Sequence, residues 1–185
     1  MLTDKSYFLG LLTVPQLGQV AVLKNLNTFI ERFEPEILQA ALGYDLYRAL
    51  MDAVEEAAES SADPLLEKWD NLLNGCVFTT QMGIKKQWKG ISNYTTKHSI
   101  TAPAIWAEWL RDQQVQITGI GAAVPESENA TRQDPSQKIA TAWFYLRQDV
   151  NILWELLMAR KDVYTEYSFS QINYGYFGPQ NSFNI

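Results

Sequence analysis

The residues able to do chemistry are few and scattered. His98 is the only histidine and Cys76 the only cysteine. A general base needs a nucleophile within hydrogen-bond reach, and no serine or cysteine near His98 in the sequence makes such an arrangement. One thiol closes no disulfide within the chain and matches no metal motif, so Cys76 reads as a small buried hydrophobe. Lys85, Lys86 and Lys89 surround Trp88. Lysines with an aromatic ring could bind phosphate and stack on a base, but a solvated rim around a packed tryptophan has the same composition. Gly119-Ile120-Gly121 invites a phosphate-loop reading, yet it lacks the third glycine and preceding strand of a dinucleotide fingerprint and matches no P-loop. The carboxylates follow no ion-loop spacing. No catalytic residue, cofactor or metal is expected, and no enzyme activity.

Charge is unevenly spread. The net charge is −6, and the stretch from Asp52 to Asp70 holds seven acids against one base, Lys68. Glu55, Glu56 and Glu59 stand for this acidic surface, which is either a solvated helix face or a surface turned to a basic partner. An acidic total argues against general nucleic-acid binding. The six tryptophans, nine tyrosines and eight phenylalanines exceed what a small core needs. No apolar run is long enough to span a bilayer, and the first residues lack the pattern of a secretion signal. Asn129-Ala130-Thr131 fits the glycosylation pattern, which an intracellular setting makes an accident.

These groups must be positioned mainly by helices. Val20, Leu23, Leu26, Ile30 and Phe33 repeat at helical spacing, and Pro35 is expected to break or restart that helix. The restart carries Ile37, Leu38, Ala41 and Leu42 up to Gly43. A second helix follows, with Leu46, Leu50 and Val54 opposite most of the acids. Asp63 and Pro64 are a cap and first-position proline for a third helix with Leu66, Trp69, Leu72 and Leu73 as its face, closed by Gly75. From Cys76 to His98 the pattern suits a small hairpin or irregular turn. A helix with Ile105, Trp106, Trp109 and Leu110 comes next. The strongest helix starts at Asp134-Pro135-Ser136-Gln137, read as cap, first-position proline and capping-box glutamine. It runs through Ile139, Ala142, Trp143, Leu146, Val150, Leu153, Trp154 and Leu157.

Between the last two helices, residues 117–138 read as a long loop without secondary structure. Its Glu126, Glu128, Arg132 and Lys138 are mixed in sign and suit hydrogen bonds to a neighbour better than catalysis, since long structureless loops are usually functional or disordered. After Tyr167 the chain carries aromatics on Asn, Gln, Ser and Gly, with no helical period and no core face. Such a tail is disordered or lies along a partner. The expected fold is mainly α: a helical bundle with a short hairpin or irregular insertion in a domain of residues 1–167, the protruding loop 117–138, and an extended C-terminal arm, 168–185.

Four stretches then carry a resemblance. "FEPEILQAALGYDLYRAL" (residues 33–50), "WKGI" (88–91), "TGIGAAVPESENATRQDPSQKIATAW" (118–143) and the final "NSFNI" occur in this order. In that order they resemble small proteins encoded by phages of Bacteroidetes hosts beside their capsid and portal genes, identified as head–tail connector or adaptor components. The resemblance runs from about Leu17 to Ile185. It implies a structural virion protein in the phage neck, assembled in the host cytoplasm as a homo-oligomeric ring, typically of twelve copies, beneath the portal. Portal and tail or other neck proteins would be its partners, and packaged DNA would pass without specific binding or a membrane. Gly43, Tyr44, Asp45, Trp88, Gly90, Gly119, Gly121, Asn129 and Arg132 match the recurring elements. The implied contacts are Gly119, Gly121, Asn129 and Arg132 in the loop, and Tyr174, Tyr176, Phe177 and Phe183 in the arm. "NSFNI" departs from the family, which has a basic residue and a glycine there. Other expectations are a different oligomeric virion or assembly protein, such as a tail-completion or neck component, and, further off, an enzyme or DNA-binding module.

Overall fold

Helix α4 (Ala102–Gln113) is apolar throughout its first six residues, and the fold covers them. Every residue from Ala102 to Ala107 is buried, and Trp109 with them. Helix α1 (Val20–Leu42) and helix α5 (Ser136–Ala159) both pack on α4, while α2 (Tyr44–Glu59) follows α1 after the corner at Gly43. Helix α3 (Glu67–Asn74) leads into two antiparallel pairs: β1 (Cys76–Thr79) with β2 (Lys85–Trp88), and β3 (Ser92–Asn93) with β4 (His98–Ser99). The computed structural model describes residues 1–59, 66–113 and 135–178, and the backbone of 116–118 and 121–123. It bears out the mainly helical expectation and its small hairpin insertion.

Pro35 does not break α1, which runs through it as one helix. The proline lacks one intrahelical donor. On both sides of it the same face is buried, through Ile30, Ile37, Leu38 and Leu42, and that shared burial holds the two halves in line. The face begins at Leu26, because Val20 is exposed.

Two expected helix starts also move. Helix α3 begins at Glu67 with Leu66 as its cap and no side-chain cap bond. Asp63 and Pro64 lie outside the described residues. The start waits for the anchoring face, which opens only at Trp69 and continues through Leu72 and Leu73. Helix α5 begins at Ser136, with Pro135 as its cap residue and no capping side chain. Asp134 is outside the described residues, and Gln137 comes one position earlier in the helix than a capping box needs. A shift of about one residue is common at helix ends.

The loop after α4 is not without structure. β5 (Gln116–Thr118) pairs with β6 (Gly121–Ala123), Thr118 facing Gly121. A strand therefore does precede Gly119, but a second strand follows where a dinucleotide fingerprint needs a helix.

The tail has a core face after all. Residues 168–178 form 3-10 turns at Phe169–Gln171 and Tyr174–Phe177 and bury Ile172 and Phe177. The Asn173 amide donates to the Ala40 carbonyl at 3.1 Å, and Trp154 of α5 packs against both Tyr174 and Phe177. Aromatic spacing along an irregular backbone has no period to read, so the burial was invisible to helical or strand templates.

Candidate functional site

Asp149 is the polar centre of the molecule. It lies on the apolar face of α5, between Leu146 and Leu153, and is 5% exposed. Two bases from the β-pairs reach it. Lys89, just past β2, places Nζ 3.3 Å from Oδ1, and His98 of β4 places Nε2 3.6 Å from Oδ2. Lys89 thus ties the end of β2 to α5, with the His98 ring alongside. Beside them is a cavity of about 210 Å³ lined also by Tyr7, Lys97 and Tyr145.

Burial holds the His98 imidazole below its usual pKa of 6.5, Asp149 pulls it back up in part, and Lys89 adds to the lowering. The ring is therefore neutral at pH 7, and its buried Nε2 has no hydrogen-bond partner among the described residues. A neutral imidazole next to a carboxylate is the beginning of a general base, so a nucleophile must be sought.

The candidates nearby are committed elsewhere. Ser99 follows His98, and in a strand its side chain points to the opposite face. Its hydroxyl joins Thr3 at 2.9 Å and Thr101 at 3.0 Å in a buried triangle that Thr3–Thr101, at 2.7 Å, closes. It also accepts from the amides of Thr101 and Ala102 at the start of α4. Cys76 is half-buried, and burial pushes its thiol pKa up, with Arg160 opposing weakly. A thiol held in that form is a poor nucleophile. The cavity beside Asp149 is smaller than the roughly 300–1,000 Å³ of small-molecule sites, whereas a second pocket of about 400 Å³, lined by Cys76, Trp88, Lys89 and His98, falls within that range.

A second buried acid has the same structural character. Glu34, 4% exposed on α1, accepts the backbone amides of Leu2 at 2.9 Å and Thr3 at 2.7 Å. It fixes the N-terminal segment across the bundle. Sequence reading passed over both acids, although each had a signal. Glu34 lies at i+4 from Ile30 and i−3 from Ile37, and Asp149 at i+3 from Leu146 and i−4 from Leu153. A carboxylate inside an apolar stripe must find donors when that stripe is buried.

The lysine cluster around Trp88 is largely used up within the chain. Trp88 is buried, and its indole N–H donates to the Leu72 carbonyl at 2.9 Å. Lys86 meets Glu155 at 2.8 Å and Lys89 meets Asp149, while Lys85 is exposed and meets no acid among the described residues. Gly90 has a φ of +100°, and a Cβ there would overlap the Leu73 carbonyl. The "WKGI" stretch thus seals the end of α3 against the β-pairs.

Glu55, Glu56 and Glu59 are all exposed on α2. Tyr174 is 40% exposed and its ring centroid lies 4.6 Å from that of Trp154. Tyr176 is half-buried against Trp143, and Phe177 is 6% exposed. Both belong mainly to this chain's own packing. Gly121 opens β6. Gly119, Asn129, Arg132 and Phe183 lie outside the described residues. Among the described residues no group of three potential metal ligands occurs, and no helix is long and apolar enough to cross a membrane. No protein-family model, curated protein or solved structure matches the chain.

Proposed function

We propose that the chain is a structural virion protein, a head-to-tail connector (adaptor) subunit that forms a ring, with twelve copies expected, between portal and tail. The supporting observation is the contrast between its polar and apolar side chains. Acids and bases that could do chemistry are tied into internal clamps, while large apolar side chains stand open in groups. Val77, Met82 and Ile84 are exposed on the β1–β2 hairpin; Leu9, Phe144 and Tyr145 are exposed where the N-terminal segment meets α5. Grouped exposed apolar residues mark surfaces that other proteins cover. The quoted sequence resemblance supplies the setting of portal, neck and passing DNA. A tail-completion or other neck component is the alternative within the same class.

The test is mass. The purified chain, alone and mixed with the portal protein of the same phage, is measured by native mass spectrometry and viewed by negative-stain electron microscopy. Rings in either condition, or a stoichiometric complex with portal, are the expected result. A strict monomer in both conditions overturns the proposal.

A further inference from the structure

The cavity of about 400 Å³ is lined from both β-pairs. Cys76, Val77, Gln87 and Trp88 come from the first, and Thr96 and His98 from the second and its turn. Asn93 fixes its rim. The Asn93 side-chain amide donates to the Asn74 and Lys89 carbonyls, and its Oδ1 accepts from the Thr96 amide at 3.0 Å. The end of α3, the end of β2 and the β3–β4 turn are thereby held together around one opening. Trp88 is 1% exposed and its N–H is committed to Leu72, so it contributes apolar surface and no donor. Other polar groups in the lining are unused. The Gln87 side-chain amide and the Thr96 hydroxyl have no partner among the described residues, and neither has His98 Nε2.

The charge of this lining has one sign. Among the described residues no acid lines the larger cavity, and Lys89 is its single charged residue. The Lys89 side chain is 57% exposed, and its bond to Asp149 uses one of three ammonium donors. Asp149 is buried and lines only the smaller cavity, where Lys97 is present too. The two cavities meet at Lys89 and His98, and together they are lined by two lysines against one acid. The turn that brings His98 in is strained. Lys97, its neighbour, has a φ of +54°, a conformation uncommon outside glycine that gathers at ligand sites.

We propose that the larger cavity binds a small organic monocarboxylate with an amide or hydroxyl on its body, the carboxylate resting on Lys89 and His98 and the body on Trp88. Its volume is in the range of small-molecule sites, which combine apolar walls with a few convergent polar groups. One ammonium with donors to spare suits one negative charge. A cation would find no acid in the lining, and a polyanion would find no second base there. Gln87 and Thr96 supply the hydrogen bonds for the body. The groups that face His98 are Asp149, Lys89, Lys97, Tyr7, Tyr145 and Cys76. A carboxylate added to them favours the protonated ring, so binding takes a proton from solvent and tightens as pH falls through the His98 titration. The site is independent of the oligomeric reading above, since a bound carboxylate neither needs nor makes a ring.

The chain carries its own reporters, because its one histidine and its one cysteine both belong to the lining. The full chain is titrated with N-acetylglycine, with its neutral counterpart N-acetylglycinamide, and with inorganic phosphate. Proton NMR follows the His98 imidazole, and N-ethylmaleimide labelling follows Cys76. N-acetylglycine is expected to shift the imidazole resonance saturably, to raise its titration midpoint and to slow Cys76 labelling, while the neutral amide does none of these. Lys89→Gln should weaken binding about tenfold or more, through loss of a charge-assisted hydrogen bond. Val77→Trp, at a 64% exposed position in the lining, should block it. Circular dichroism checks that both variants are folded, and the comparison of charged and neutral probes on the wild type needs neither. No saturable shift with N-acetylglycine, an equal response to the amide, or a stronger response to phosphate overturns the proposal. Binding unchanged in Val77→Trp overturns it too, because the probe would then sit elsewhere.

Discussion

Asp45 and Gln171, 126 residues apart, exchange two hydrogen bonds: the Asp45 amide donates to Gln171 Oε1 at 3.1 Å, and Gln171 Nε2 donates to Asp45 Oδ2 at 2.6 Å. They fasten the tail to the corner between α1 and α2. Gly43 makes the approach possible. Its φ is +80°, and a Cβ there would lie 2.9 Å from Gln171 Cβ. Gly43-Tyr44-Asp45 is thus a latch for the chain's own tail.

Asp45→Ala removes one of these bonds at an exposed site, where water can replace it, and should cost about 1 kcal/mol in urea unfolding. Gly43→Ala strains the backbone and crowds Gln171, so it should cost more, about 1–3 kcal/mol. Both should speed chymotryptic cleavage within the tail at residues 169–177. If Gly43→Ala matches the wild type in both measurements, the latch has no energetic weight.

Glu34 holds two buried amide donors with its two carboxylate oxygens. Replacing it with alanine leaves the Leu2 and Thr3 amides without their acceptor, at a cost of about 2–3 kcal/mol. Glu34→Gln keeps the shape but only one acceptor oxygen, and should fall between alanine and wild type. Hydrogen exchange at Leu2 and Thr3 reads the effect locally. Unchanged protection in the alanine variant would remove Glu34 from the account of how the N-terminal segment is held.

Trp88 and Gly90 give a third expectation. Trp88→Phe removes the donor to the Leu72 carbonyl and leaves a small void, which together should cost about 1–3 kcal/mol. Gly90→Ala should be worse than Trp88→Phe, because the obstacle is the Leu73 backbone and not a movable side chain. Thermal unfolding of the two variants checks the order, and a reversed order would contradict it.

What could be read from sequence followed periodicity. Leu46 and Leu50 in α2, Trp106 and Trp109 in α4, and Leu146, Val150 and Leu153 in α5 recur at helical spacing, and all are buried. Gly75, read as a helix end, has a φ of +96° there. Features without a period were missed. Phe177 is buried by an irregular tail, and Pro35 is carried inside a helix by contacts made elsewhere in the chain. The Thr3–Ser99–Thr101 triangle joins residues nearly a hundred positions apart and left no local trace. His98 was visible only as a lone histidine, since its partner Asp149 is defined by how α5 meets the β-pairs.

That pairing makes stability depend on pH. The charged and titratable groups around His98 are Asp149 from α5, Lys89 from the end of β2, Lys97 beside it, and Tyr7 and Tyr145 across the cavity. Burial dominates and lowers the folded-state pKa below 6.5. Above 6.5 the histidine is neutral in both states, and its contribution is fully present. As pH falls through 6.5 the unfolded chain takes up a proton that the folded chain refuses, so stability is lost until pH reaches the folded pKa, and the loss then stops. His98→Gln should therefore flatten the fall in urea midpoint between about pH 7.5 and about pH 5. Asp149→Asn removes the one neighbour that raises the histidine pKa, so it should extend the loss to lower pH. Because the chain has one histidine, its imidazole proton resonance reports the titration without assignment. A midpoint above 6.5 would mean that the Asp149 carboxylate outweighs burial, and stability would then rise on acidification through that range.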